Sequence, residues 1–200
     1  MPGLSSTSVS LVPHTHNQTS VVHSIKAEIN TTSGGALRLR YLLEGDLEQL
    51  AIPAVASPLR SDGLWRHTCF EAFIAMGSTA GYYEFNFSPS TQWAAYSFGR
   101  YREGMESLQC GASLPIEVRR TNERLELEAR ISSKVLSRLT INSMIRMALS
   151  AVIEETDGRL CYWALAHPPG SPDFHHPDSF VVHLQRPVTE LPFTGSRVLS

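Results

Sequence analysis

The sequence predicts an all-β protein, a two-sheet β-sandwich with little helix. Three observations carry that expectation. Apolar residues recur with period two in one segment after another, the segments are short, and clusters of Gly, Pro, Asn, Asp and Ser divide them. Many short strands with scarcely any helical periodicity point to two packed sheets, which bury one face of each strand.

Residues 1–17, rich in Ser, Thr, His and Pro, are expected to form a loose arm. Alternation begins in "VVHSIKAEIN". Val21, His23, Ile25, Ala27 and Ile29 are expected on one face, and Val22, Ser24, Lys26, Glu28 and Asn30 on the other. "ALRLRYLLEG" repeats the pattern, with Leu37, Leu39, Tyr41 and Leu43 set against Arg38 and Arg40. "TTSGG" between them is a turn cluster, so the two strands read as a hairpin. Two prolines and a glycine make "LAIPAVASPLRSDG" a loop or an edge crossing.

"HTCFEAFIAM", "YYEFNFS" and "QWAAYSF" follow as strands. "LPIEVRRTNERLELEARIS" reads as another hairpin, because Leu125, Leu127, Ala129 and Ile131 alternate with Arg124, Glu126, Glu128 and Arg130. "SSKVLSRL" has a serine cap and no alternation, which suits one short helix. The nearly unbroken apolar run "SMIRMALSAVIEE" suits a buried strand or a short helix. A strand is favoured because the turn "TDGR" leads straight into another strand-like run, "LCYWALAH". "SFVVHLQRP", stopped by Pro187, is the last regular element. One domain therefore spans 18–187, followed by a polar tail over 188–200.

A chain of 200 residues can bury one proper core. With 42% apolar and 18% charged residues it has the balance of a folded protein. The net charge of −2 includes no basic surplus, so neither nucleic acid nor an anionic membrane is an expected partner. Cys69, Cys110 and Cys161 form no CxxC pair and suggest neither a disulfide framework nor a zinc knuckle. No segment approaches the ~20 apolar residues of a membrane span. The opening "MPGLSSTSVSLVPHTHNQ" lacks a cationic start followed by a long apolar run, so a cytoplasmic location is expected.

Within "YYEFNFS", alternation sets Tyr83, Phe85 and Phe87 on a core face. Tyr82, Glu84, Asn86 and Ser88 share the opposite face, as a hydrogen-bonding platform if exposed or as groups that must pair if covered. Trp65 and Glu71, six residues apart, fall on one side of an ideal strand with His67 and Cys69. Fully extended chain would hold them ~20 Å apart. Sharing one small ligand therefore requires Trp65 to curl back, which the upstream "SDG" permits.

"LCYWALAHPPGSPDFHHPDSF" gathers Tyr162, Trp163, His167, Asp173, Phe174, His175 and His176. Its four prolines stiffen it. Without HExxH or His-x-His, it reads as an ordered loop folded over a binding face rather than as a metal centre. Nothing matches GxSxG, a Cys–His thiol site or a phosphate-cradling loop. Glu71 and Glu84 as general acid and base remain a minor alternative, since spacing does not set their separation.

In order along the chain, "LWRHTCFEAFI", "YYEFNFSPSTQWAAYSF", "YREGM" and "YWALAHPPGSPDFHHPDSF" resemble the bacterial DOMON-like proteins. These are related to family-nine carbohydrate-binding modules and to the DOMON superfamily of sugar- and haem-binding domains. The resemblance spans roughly residues 18 to 187 and implies a β-sandwich of jelly-roll or immunoglobulin-like form. In the sugar-binding relatives a tryptophan followed six residues later by a glutamate lies at the ligand, a pattern that Trp65 and Glu71 match. A second tryptophan near the C-terminal strands, matched by Trp163, completes an aromatic clamp there, and Glu84 and Asn86 fall on the strand that follows the first pattern. Some relatives hold structural calcium, for which no acidic loop stands out. Haem-binding ones use a methionine and a histidine, for which Met76 or Met105 with His67 or His167 are the candidates.

The expected function is non-catalytic binding of a sugar or glycan-like small molecule, with no cofactor assigned. Flat rings take the C–H face of a pyranose, and carboxylates or amides take its hydroxyl rim. Trp65 and Trp163 would stack, Glu71, Glu84 and Asn86 would hydrogen-bond, and Arg66, Arg102 and His167 would add polar contacts. The alternatives are a haem- or metal-binding DOMON domain, or a protein–protein interaction module whose homo-oligomer buries Trp65 or Trp93.

Overall fold

The computed structural model describes residues 6–17, 19–76, 80–110, 114–139 and 144–185. In chain order its strands are β1 (Ser6–Pro13), β2 (Val22–Thr31), β3 (Leu37–Gly45), β4 (Cys69–Met76), β5 (Tyr82–Phe87) and β6 (Trp93–Phe98). There follow β7 (Glu106–Ser107), β8 (Ile116–Arg120), β9 (Arg124–Ile131), the helix α1 (Ser133–Leu139), β10 (Met144–Glu154), β11 (Leu160–Ala164) and β12 (Val182–Gln185). The expected tail over 188–200 lies outside the described residues.

The strands are hydrogen-bonded in the order β7-β6-β5-β4-β10-β11-β1-β2-β3-β9-β8, and β12 also pairs with β10. The fold is thus mostly β with little helix, and what was expected as two sheets is one curled, half-barrel-like sheet. Its two halves pack face to face, in a sandwich-like manner. Ile25, Leu39 and Leu127 from one half share a core with Phe70, Phe85 and Leu149 from the other. Tyr41 on β3 marks the seam: it is fully buried, and its ring lies 5.0 Å from that of Phe70 on β4. Its hydroxyl donates to the Glu71 carbonyl at 2.8 Å.

The strand β1 joins the halves, and it corrects the expectation of a loose arm over 1–17. Ser6–Leu11 pair with β2, and Val12 and Pro13 pair with β11. Most of its side chains face outward and only Leu11 is buried, so its composition looks like a loop. Backbone pairing on both sides, rather than apolar burial, holds it in the sheet.

Alternation also mispredicts the start of β2. The register slips between Val22 and Ser24. Such a bulge moves side chains to the opposite face, so Val22 is buried and His23 is exposed, the reverse of the expected pattern. Beyond it Ile25, Ala27 and Ile29 are buried as alternation requires. The run over 144–154 is a strand, and the one α-helix among the described residues starts where the Val135 N–H donates to Ser132 Oγ at 3.3 Å. Among the described residues no helix is long and apolar enough to cross a membrane.

Gly45 sits where the bulged chain crosses closest. A Cβ there would lie 2.3 Å from the Val21 carbonyl oxygen, which already accepts from the Asp46 N–H. Gly45→Ala is therefore expected to cost about 1–3 kcal/mol in urea unfolding. Gly34→Ala, whose Cβ would meet only Thr32 Oγ1 at 3.9 Å, is expected to change stability by no more than about 0.5 kcal/mol.

Candidate functional site

The half of the sheet that contains β4, β5, β6, β10 and β11 is apolar on both faces. Its inner face belongs to the shared core. On its outer face Phe73, Tyr82, Tyr96, Phe98, Phe174 and Phe180 are buried as a second cluster. Register explains the floor of that face. Ala94, Asn86, Glu71, Ser150 and Ala164 lie side by side across five strands, and Tyr96, Glu84, Phe73 and Ala148 form the next row. The alanines lack bulk where neighbouring rows carry rings, which leaves a depression.

Loops raise its walls. Gly63, in the left-handed region at φ 77°, starts the 3-10 turn Leu64–Arg66, and this turn brings Trp65 back over the sheet. The Trp65 and Tyr96 rings meet edge to face at 5.8 Å. Residues 99–105 and 165–181 close the remaining sides. The resulting hollow of about 360 Å³ falls within the ~300–1,000 Å³ range of small-molecule sites. Trp65, Tyr96, Phe98, Tyr162 and Phe174 supply aromatic lining, and Glu71, Glu84, Arg102 and His175 supply polar groups.

The polar floor is nearly dry. Glu71 is 2% exposed and Glu84 5%. Glu71 Oε2 accepts from the Ser150 hydroxyl at 3.2 Å, and Glu84 Oε1 accepts from Asn86 Nδ2 at 2.6 Å. Burial, and then the neighbouring Glu84 charge, push the Glu71 carboxyl well above the ordinary carboxylate range. Burial raises Glu84 as well, against the opposing pull of Asn86 and Arg102.

A second network holds the rim. The Arg102 N–H donates to the Tyr82 hydroxyl at 3.1 Å, and Tyr82 in turn meets His175 Nδ1 at 2.7 Å. Burial depresses the His175 pKa to about 4, so the ring is neutral. Its Nε2 faces Glu84 Oε2 at 3.8 Å, beyond hydrogen-bond reach. Asp173 accepts from Arg102 at 2.7 Å and from the Tyr101 hydroxyl. Burial alone would raise Asp173, yet these bonds hold it below its ordinary range. Arg102 itself has φ 55°, a conformation that side chains other than glycine seldom adopt. Such strain collects at functional sites.

Of the eight candidate residues, four line this hollow: Trp65, Glu71, Glu84 and Arg102. Asn86 lies beneath it, fully buried, and orients Glu84. Arg66 points to solvent from the same turn that carries Trp65. Trp163 is buried in the shared core on the opposite side of the sheet, so it cannot be the second ring of a clamp. Alternation along β11 gives that place to Tyr162. His167 donates to or accepts from its surroundings elsewhere: its Nε2 lies 2.9 Å from the Val12 carbonyl and its ring lies against His14.

Tyr96, Phe98, Tyr162 and His175 are site residues that sequence reasoning did not select. Period two alone would have placed Tyr96 and Phe98 together, and Tyr162 opposite Trp163. His175 is brought in by a loop that has no periodicity. Of the haem candidates, Met105 lines the hollow and neither histidine does: His67 meets Glu154 at 2.7 Å and His167 lies against His14, while the Met76 side chain lies outside the described residues. Among the described residues no group of three or more His, Cys, Asp or Glu is placed to hold a metal.

Fold and hollow together define a mostly-β, sandwich-like protein with a ligand-sized depression on one outer face. Among solved structures it is similar to a "putative carbohydrate-binding protein" from Bacteroides uniformis, with a TM-score of 0.69 and 16% identity over 91% of this chain and 86% of that one. At that identity the likeness shows the fold alone. No family model and no curated protein matches the chain.

Proposed function

We propose that this chain is a non-catalytic, carbohydrate-binding module that takes a mono- or disaccharide-sized ligand in the hollow. The observation that carries the proposal is the pairing of aromatic faces, Trp65 and Tyr162 among them, with the buried carboxyl groups of Glu71 and Glu84 in one cavity. Rings suit the C–H face of a pyranose, and carboxyls, Arg102 and the His175 imidazole suit its hydroxyls. The fold likeness to the B. uniformis protein supports the reading, as does the resemblance to DOMON-like and family-nine binding modules. A jelly-roll ancestry and a cytoplasmic setting belong to the same proposal. Cys69 and Cys161, both buried and outside any disulfide, suit a reducing compartment.

Calorimetry against a panel of mono- and disaccharides tests it. Of the three tryptophans, Trp93 and Trp163 are in the core and Trp65 lines the hollow, so a ligand-induced change in indole fluorescence would come from Trp65. Trp65→Ala is expected to weaken binding about tenfold or more, and Trp65→Phe to weaken it less. The absence of both binding heat and a fluorescence change with every sugar would refute the proposal.

A further inference from the structure

A neutral sugar would leave the charge balance of the hollow unexplained. Glu71 and Glu84 are both more than nine-tenths buried, and the hydrogen bond that each accepts comes from a neutral side chain, Ser150 or Asn86. Among the described residues neither forms an ion pair with a lysine or arginine. The nearest basic group is His175, which burial keeps neutral. Arg102, the one cation in the lining, is engaged by Asp173 at 2.7 Å. Arg60 stands over the Tyr96 ring at 5.0 Å, and Asp62 pairs with it at 2.8 Å. Beside Met105, Val152 and Pro172 the remaining walls are aromatic, and the faces of such rings carry negative potential.

Resting on the reading of the hollow as a sugar site, we infer that its ligand is an amino sugar with a free ammonium group, seated against Glu84 and Glu71 and walled by aromatic rings. Arg102 acts on both carboxyls only at longer range, and the ammonium supplies the direct cationic partner that the described residues do not. Two of its three N–H donors match the two carboxyl oxygens that Ser150 and Asn86 leave open, one on each glutamate, and charge-assisted bonds in a dry site are the strong ones.

Binding is then linked to proton release. The free carboxyl pair retains a proton. The ammonium stabilises the ionised form, and the proton leaves to solvent. The surrounding groups do not share this titration. His175 stays neutral above about pH 4, Arg102 stays cationic and Asp173 stays ionised on the loops. Tyr82 on β5, Tyr96 on β6 and Cys69 on β4 are raised by burial and keep their protons, and β10 presents Ser150 and Val152. Affinity for the ammonium therefore rises from mildly acidic to neutral pH as the carboxyl pair ionises more readily.

Calorimetry with glucosamine, glucose and N-acetylglucosamine, in two buffers of different ionisation heat, tests this. Glucosamine is expected to bind roughly tenfold tighter than either neutral sugar at neutral pH, with proton release, and to lose that advantage at mildly acidic pH. Glu84→Gln is expected to abolish the preference, read as the ratio of glucosamine to glucose affinity within the same variant, with thermal melting as the check on folding. Glu71→Gln serves as the second variant, with the same expected loss. Equal affinity for all three sugars, or a preference unchanged in both variants, would overturn the amino-sugar assignment and leave sugar binding intact. Binding of none of them would overturn both.

Discussion

Replacing Tyr41 with alanine is expected to lower the unfolding free energy by about 3–5 kcal/mol, the range for deleting a large aromatic side chain from a core. Tyr41 is wholly buried, packs on Phe70 across the fold, and holds the Glu71 carbonyl at 2.8 Å. It therefore ties β3 to β4 at the residue whose side chain emerges on the other face as part of the hollow. Tyr41→Phe separates the two contributions. It keeps the ring and removes the hydroxyl, and should cost about 0.5–1.5 kcal/mol, the net worth of one hydrogen bond. Urea unfolding of both variants measures the difference. A loss below about 1 kcal/mol for Tyr41→Ala would mean that the halves do not pack through this ring.

Stability should also fall as pH rises above the ordinary carboxylate range, opposite to the usual carboxylate behaviour. In the unfolded chain Glu71 and Glu84 titrate near the ordinary 4.5, and in the folded chain burial raises both. Between those limits the folded state holds protons that the unfolded state has released. Their stabilisation is complete below the unfolded pKa and is lost, by about 1.4 kcal/mol per pH unit for each proton, as pH climbs to the folded pKa. Asp62, Glu126 and Asp173 have depressed pKa values and act oppositely, withdrawing stability as pH drops below their unfolded pKa values. Glu71→Gln keeps the acceptor for Ser150 and removes one ionisation. Its melting temperature should match the wild type in acid and exceed it increasingly above about pH 5. A gap that opened in acid instead would contradict the burial of Glu71.

Much of this was legible in local patterns. Tyr83, Phe85 and Phe87 read as core, and Tyr82, Glu84 and Asn86 as a shared opposite face, because strand geometry sends neighbours to opposite sides. The same rule applied to β11 would have exchanged Trp163 for Tyr162. It failed at Val22 and His23, where a bulge inserts a residue, and at β1, whose Ser and Thr side chains carry no apolar signal. In both places backbone hydrogen bonding with a distant partner decides the conformation.

Alternation is a property of adjacent residues, so the chain alone sufficed to show a mostly-β protein, most of its strands and the core face of several of them. Which side chains meet is another matter. Trp65, Glu84, Arg102, Tyr162 and His175 share one hollow because β5, β4, β10 and β11 pair in that order and register, and because a left-handed Gly63 and a long loop fold inward. Strand order and register emerge from many weak long-range contacts acting together, and no short stretch of sequence encodes them.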